Sequence, residues 1–492
     1  MQDDEEWLRA WHRRGIPTET ARALRAGLMN YKSGLQHVAH GKGRQTISER
    51  LNRKRYAADK TRRERKRLLD RWPVRFTYEM VAVKHPIEEP VLDGLNPQRS
   101  TTWKPVFERP HAAAELDLKN FSFVDDPINA ISLLKQIAEL ESKISEGRLN
   151  FDDQPCLDIG PFLVLQEMNK GMLPIFLGGR ISGSVLRVIE FVGLRHALGM
   201  RFSRAPSAGG IWPLPFRSRT PQGASPQRLL RHQTSEHVAT EVIERINEWL
   251  AEQAEVQLTE DGERLVLSMT GEVLDNAERH SDLSSRDGSW SVAGFMVRQR
   301  NETSIFYKCH LALLSTGASI AESMATAGDA TKARMDEYVR RHRGFLKSNF
   351  TDENLQTVFA LQDGVSRVHD ALAQGRGGTG FMDIIEFFAA LSGTSKADIP
   401  PPSLAIISGS TCISIKPPYM VGVRNNLFAK EGLRAPRELW FNPTNNPDEM
   451  PDPAHVLSLP ARLKGTLITM VWTTDPEYLQ SRAIANAENQ SS

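Results

Sequence analysis

The sequence has no run of about 18 consecutive apolar residues, the length a helix needs to cross a bilayer core, so no membrane span is expected. Its first residues, MQDDEEWLRAWHRR, pass from acidic to basic without an apolar stretch, which predicts no secretory signal and a cytoplasmic protein. Cysteine is scarce. Cys156, Cys309 and Cys412 stand far apart with no paired spacing, which argues against a disulfide framework and a cysteine zinc site and leaves them as small buried apolar residues. A large overall charge is also missing, since the net is +2, but it conceals a local excess: residues 38–75 hold 14 Lys and Arg against 4 Asp and Glu, a net +10 that leaves −8 for the rest.

At 492 residues, 40% of them apolar and 25% charged, the chain is too long for a single comfortable core and predicts two or three domains. Residues 1–75 read as a helical, basic region. Within it, Ile47 to Trp72 is helix-compatible, and the stretch 53–67 is either a solvated helix or arm, or a contact for nucleic acid or an acidic protein. Residues 76–115, with scattered prolines, read as a linker with a strand or two.

From 116 to 202 strand and helix patterns alternate: INAISLLKQIAELESKI and GPFLVLQEMNKG at helical spacing, GRLNFD and MLPIFLGG as strands, and SGSVLRVIEFVGLRHALGM as a closing amphipathic helix. This order resembles the STAS fold of anti-sigma-factor antagonists. Where those proteins carry a phosphorylatable serine, CLDIGPFLVL has Ile159, Gly160 and Pro161, so the resemblance implies no phosphoswitch here. A Gly/Pro/Ser-rich joint holding the strand IWPLPFRS leads into the long helix QRLLRHQTSEHVATEVIERINEWLAEQ. Then follow the helix ERLVLSMTGEVLDNAERHS, strands SWSVAGFMVRQ and SIFYKCHLALLS, helices, a glycine-rich loop, the helix FMDIIEFFAAL, strands SLAIISGS and TCISIK, and a last strand GTLITMVW; 476–492 form a tail.

Within GEVLDNAERHS, Glu272, Asn276 and His280 are spaced four apart and share one row of a helix. Alone, such a row is a solvated stripe. Its neighbours Leu265, Val266, Leu267, Met269, Val273, Leu274 and Ala277 predict instead a substantially buried helix whose polar row faces a cavity. Downstream, HLALLSTGASIAESM runs a strand into a glycine turn, and GRGGTGFMDIIEF places Gly375, Gly377, Gly378 and Gly380 before a helix. Backbone N–H groups and the helix dipole can meet phosphate oxygens there, although the stretch has no Walker lysine.

Over residues 210–475 these elements resemble, in order, the GHKL ATPases, the superfamily of gyrase, MutL, the ninety-kilodalton heat-shock chaperones and the histidine kinases. EVLDNAERH resembles the asparagine helix, STGASI and GRGGTGF the two glycine boxes, and GTLITM the terminal strand. The resemblance implies a multidomain protein of α/β and α+β class, ending in a Bergerat-type α/β sandwich that binds ATP with Mg2+. Asn276 would be the metal ligand, Glu272 the general base, and His280, Ser315, Gly317, Gly375, Gly377, Gly378, Thr379, Gly380 and Thr466 would complete the nucleotide site. Ser315 departs from the family, which has an aspartate there to accept the adenine amino group; a hydroxyl gives up the charge-assisted bond. His232 and His237 offer a phosphoacceptor on only one helix, so a histidine kinase is disfavoured. Three functions follow: an ATPase switch acting through closure or homodimerisation, an anti-sigma-type protein-serine kinase, or a non-catalytic nucleotide-binding scaffold.

Overall fold

The computed structural model describes residues 77–82, 89–100, 103–108, 114–143, 147–172, 176, 178–200, 210–219, 234–280, 288–300, 305–343, 350–365, 380–391, 401–424, 435–475 and 477. The basic segment 53–67 and His232 lie outside them. The described residues form a mixed α/β protein of two compact units. The segment 116–202, read from the sequence as one module, contributes to both.

One unit comprises the described residues within 1–118, 135–151 and 168–180. Its strands β1 (Thr77–Ala82) and β2 (Trp103–Glu108) pair antiparallel, with the short helix α1 (Pro90–Leu95) and a 3-10 turn (Pro97–Ser100) between them. Arg99, fully buried, is neutralised by Glu141 at 2.9 Å and Asp93 at 2.8 Å. Strands β3 (Ala114–Leu118) and β4 (Gly147–Phe151) pair parallel. The strand expected at MLPIFLGG is, among its described residues, a single bridge from Phe176 to Gly147 and two backbone bonds from β4 to Gly178 and Arg180.

The other unit comprises the described residues within 119–134, 152–167 and 181–492. The helix α2 (Pro127–Lys143) follows the INAISLLKQIAELESK periodicity and gives this unit its residues 127–134, and α3 (Gly160–Gly171) follows GPFLVLQEMNKG and gives it residues 160–167. The closing amphipathic helix breaks into α4 (Gly183–Phe191) and α5 (Leu194–Ala197) at Gly193, whose φ of +83° cannot continue a right-handed helix.

The centre of this unit is a five-stranded antiparallel sheet in the order β5 (Ile211–Arg219), β6 (Ser289–Arg300), β7 (Ile305–Thr316), β11 (Val456–Thr474), β8 (Ser403–Ile415). Two two-residue strands, β9 (Val423–Arg424) and β10 (Arg437–Glu438), pair separately. Pro213 and Pro215 are tolerated in β5 because it is an edge strand. SLAIISGS and TCISIK are one continuous strand rather than two, and GTLITMVW is the second half of a strand that begins at Val456.

Alternate residues of the sheet, among them Val292, Leu313, Ile468 and Ile406, point into a single core. The helices α6 (Ser235–Ala254), α7 (Glu260–His280), α9 (Asp329–Arg343), α10 (Asp352–Ala360) and α11 (Gly380–Leu391) close it, with α8 (Ile320–Met324) at its margin. Arg217 of β5 fastens α6 through a bidentate pair with Glu241 at 2.6 and 2.8 Å. On the opposite face, Ala293, Ala312, Thr469 and Ala405 lie side by side across four strands. This row of small side chains lets the start of α3 come close, with Gly160 beside the Thr469 side chain. No described helix is long and apolar enough to cross a membrane.

Candidate functional site

The core-facing side of α7 is Val266, Met269, Leu274 and Ala277, all buried. Successive i,i+4 positions drift about 40° around a helix at 3.6 residues per turn, so the polar row does not keep one outlook. Glu272 is exposed, while Asn276 has turned inward and is half-buried. Leu267 on the outer side is 43% exposed, so the helix is less enclosed than its apolar content predicts. His280 is the last residue of α7, and its side chain lies outside the described residues.

The end of α7 is tied to the sheet. Glu278 accepts a hydrogen bond from the Trp290 indole at 2.9 Å and lies 3.6 Å from the Arg219 guanidinium, which also donates to the Gly288 carbonyl at 2.8 Å. Trp290 begins a continuous rung, Trp290–Ser315–Thr466–Ser408, formed by direct register partners on β6, β7, β11 and β8. Strand alternation puts all four on the same face as Val292, Leu313, Ile468 and Ile406, the helix-covered face. An apolar core thus ends in three adjacent hydroxyl residues.

These hydroxyls are interlinked. Ser315 donates to the Thr466 carbonyl at 3.3 Å. Ser408 Oγ lies 2.9 Å from Thr466 Oγ1, and it accepts the Ile320 N–H at 2.8 Å. Beyond β7 the chain turns at Gly317, with φ +138°, and its N–H donates to the Lys464 carbonyl at 3.3 Å. On β11, Gly465 lies opposite Thr316 with φ +128°, and a Cβ there would stand 1.9 Å from the Ser315 carbonyl oxygen. Only glycine admits this close approach of the two strands.

Charged side chains border the rung and neutralise one another. Ser319 caps α8 with Glu322 in a capping box. Lys464 lies 2.9 Å and Arg462 3.0 Å from Glu322. Burial alone would raise the Glu322 carboxyl, but the Ser319 N–H and these two cations outweigh it and hold the pKa below its usual value. Glu353 accepts from Ser319 Oγ at 3.3 Å, from Ser410 Oγ at 2.5 Å and from Arg462 at 2.9 Å.

Gly375, Gly377, Gly378 and Thr379 lie outside the described residues, and Gly380 is the first residue of α11. That helix packs on α7. It is held to β10 by Arg437, whose guanidinium meets Asp383 at 2.7 Å, Asp363 at 2.8 Å and Glu386. His237 is exposed near the start of α6.

The structure therefore joins Ser315 and Thr466 directly, puts Gly317 at the following turn, and brings the last turn of α7 to the same rung through Glu278. It leaves Glu272 on the solvent side. Trp290, Ser408 and Glu278 went unnoticed in the sequence. Ser408 carried a faint signal as the hydroxyl that ends the apolar run LAII, but nothing local indicates which strand it faces. Among the described residues no group of three or more His, Cys, Asp and Glu side chains is arranged to hold a metal. No known protein family, curated protein or solved structure matches the chain.

Proposed function

We propose that residues 210–475 form a Bergerat-type nucleotide-binding domain, that Mg-ATP occupies the space between the hydroxyl rung and the α7 side of the sandwich, and that the protein works as a nucleotide-driven ATPase switch. The observation that supports it most is the pairing of Ser315 with Thr466. These residues are 151 positions apart, yet they are register partners on the helix-covered face, beside the turn at Gly317 and the tethered end of α7. Asn276 would supply a carboxamide oxygen to Mg2+ otherwise held by phosphate oxygens and water, and the rung would hold the base. The bound metal would neutralise charge on the triphosphate.

Within the same unit, the 152–167 segment meets β11 through Asp158 and Thr469. The exposure of Glu272 favours a second reading, a binding protein without turnover, because a general base must reach the attacking water.

Calorimetric titration of the full chain with ATP, with and without Mg2+, tests the proposal. Binding should require Mg2+ and weaken about tenfold or more in Asn276→Ala. Undiminished Mg-ATP binding by folded Asn276→Ala would reject it.

A further inference from the structure

The base end of this site is built from neutral hydroxyls. Each of Ser315, Thr466 and Ser408 can donate one hydrogen bond and accept others, and a hydroxyl proton rotates to suit its partner. The acidic side chains bordering the rung are committed elsewhere: Glu278 to the Trp290 indole and Arg219, Glu322 to Lys464 and Arg462, Glu353 to Ser319, Ser410 and Arg462. Ser315 is the least committed hydroxyl, since its bond to the Thr466 carbonyl is long at 3.3 Å, whereas Ser408 is held at 2.8 and 2.9 Å.

Resting on the nucleotide reading above, we infer that the site takes 6-oxo purine nucleotides as well as 6-amino ones, with Ser315 as the residue that permits both. A 6-amino group donates, and Ser315 accepts from it. A 6-oxo group accepts, and the same hydroxyl rotates and donates. A carboxylate at position 315 could only accept, so it would leave a 6-oxo group facing negative charge with no donor. Discrimination of that kind comes from a polar group left unpaired in a closed site, and Ser315 leaves none for either base.

The test is calorimetry on the full chain with Mg-ATP and with the magnesium complex of inosine triphosphate, which carries an oxo group at position 6. Wild-type affinities should agree within about tenfold. Ser315→Asp should widen the ratio in favour of ATP by a further tenfold or so, and Ser315→Ala should weaken both nucleotides alike. A wild-type preference for ATP beyond about tenfold would overturn the inference while leaving the nucleotide site standing. An unchanged ratio in a Ser315→Asp protein that still binds ATP would also overturn it. If neither nucleotide binds the wild type, the nucleotide reading and the inference fall together. The wild-type ratio needs no variant, so a misfolded substitution does not shield the inference.

Discussion

The Thr469 hydroxyl donates to the buried Asp158 carboxylate at 2.5 Å, three residues along β11 from Thr466. One strand therefore carries the hydroxyl rung on its helix-covered face and anchors the start of α3 on the other. Asp158 also accepts the Phe123 and Gly160 N–H groups at 2.9 and 2.8 Å. Burial pushes its pKa up, and the three donors act against that rise. Thr469→Val keeps the shape but removes one donor from a buried carboxylate, so it should destabilise the fold by about 1–3 kcal/mol in denaturant titration. In an Asp158→Ala background the same substitution should cost much less. Equal costs in both backgrounds would mean that the pair contributes nothing.

Gly465→Ala should cost at least about 2 kcal/mol, because the new Cβ would collide with the Ser315 carbonyl in a backbone region that side chains avoid. Under the proposed nucleotide reading, it should also weaken Mg-ATP binding by parting β7 from β11 at the rung. Gly271→Ala is the contrast. A Cβ there meets nothing within 4 Å, and removing a helix-interior glycine should stabilise by about 0.5–1 kcal/mol. Thermal melts of the two variants that moved in the same direction would contradict this account.

His310 is buried and stacked on Phe295 at 4.2 Å, with neither ring nitrogen hydrogen-bonded. Burial, aided by Lys308, lowers its pKa well below 6.5. The folded histidine thus stays neutral where the unfolded one is protonated, and unfolding takes up a proton. Stability should be complete above about pH 6.5 and decline as pH falls below it, by up to about 1.4 kcal/mol per pH unit. His310→Phe keeps a ring against Phe295 and should flatten that decline. An identical acid slope in wild type and variant would remove His310 as its source.

Glu272→Gln separates catalysis from binding. If Glu272 is the general base, Mg-ATP affinity should persist while phosphate release falls by about a hundredfold or more. Turnover at the wild-type rate in the folded variant would exclude Glu272 from the chemistry, and a wild type that binds without hydrolysis would favour the binding-only reading.

Local periodicity in the sequence determined most element identities in the 210–475 region. The stripe of α7, the apolar runs of β6 and β7 and the helix starting at Gly380 are written in residues a few positions apart, and short-range backbone geometry answers to such patterns. The resemblance to the GHKL ATPases, rather than periodicity, singled out Ser315 and Thr466 one at a time. What local periodicity missed is long-range. The first half of β11, VLSLPARL, contains a proline and an arginine and does not read as a strand; it is one because the register with β8 shifts between Ser458 and Leu463 and lets Pro460 sit in an irregular stretch. The same shifted ladder joins SLAIISGS and TCISIK into one strand.

Only the tertiary structure decided that Ser315, Thr466 and Ser408 form one rung, that Glu278 meets Trp290 and Arg219 of the sheet, and that Asp158 reaches Thr469. Strand order and register bring together Ser408 and Thr466 across 58 positions, Ser315 and Thr466 across 151, and Asp158 and Thr469 across 311. Side-chain alternation then assigns each to a face, and neither choice leaves a mark in the residues on either side.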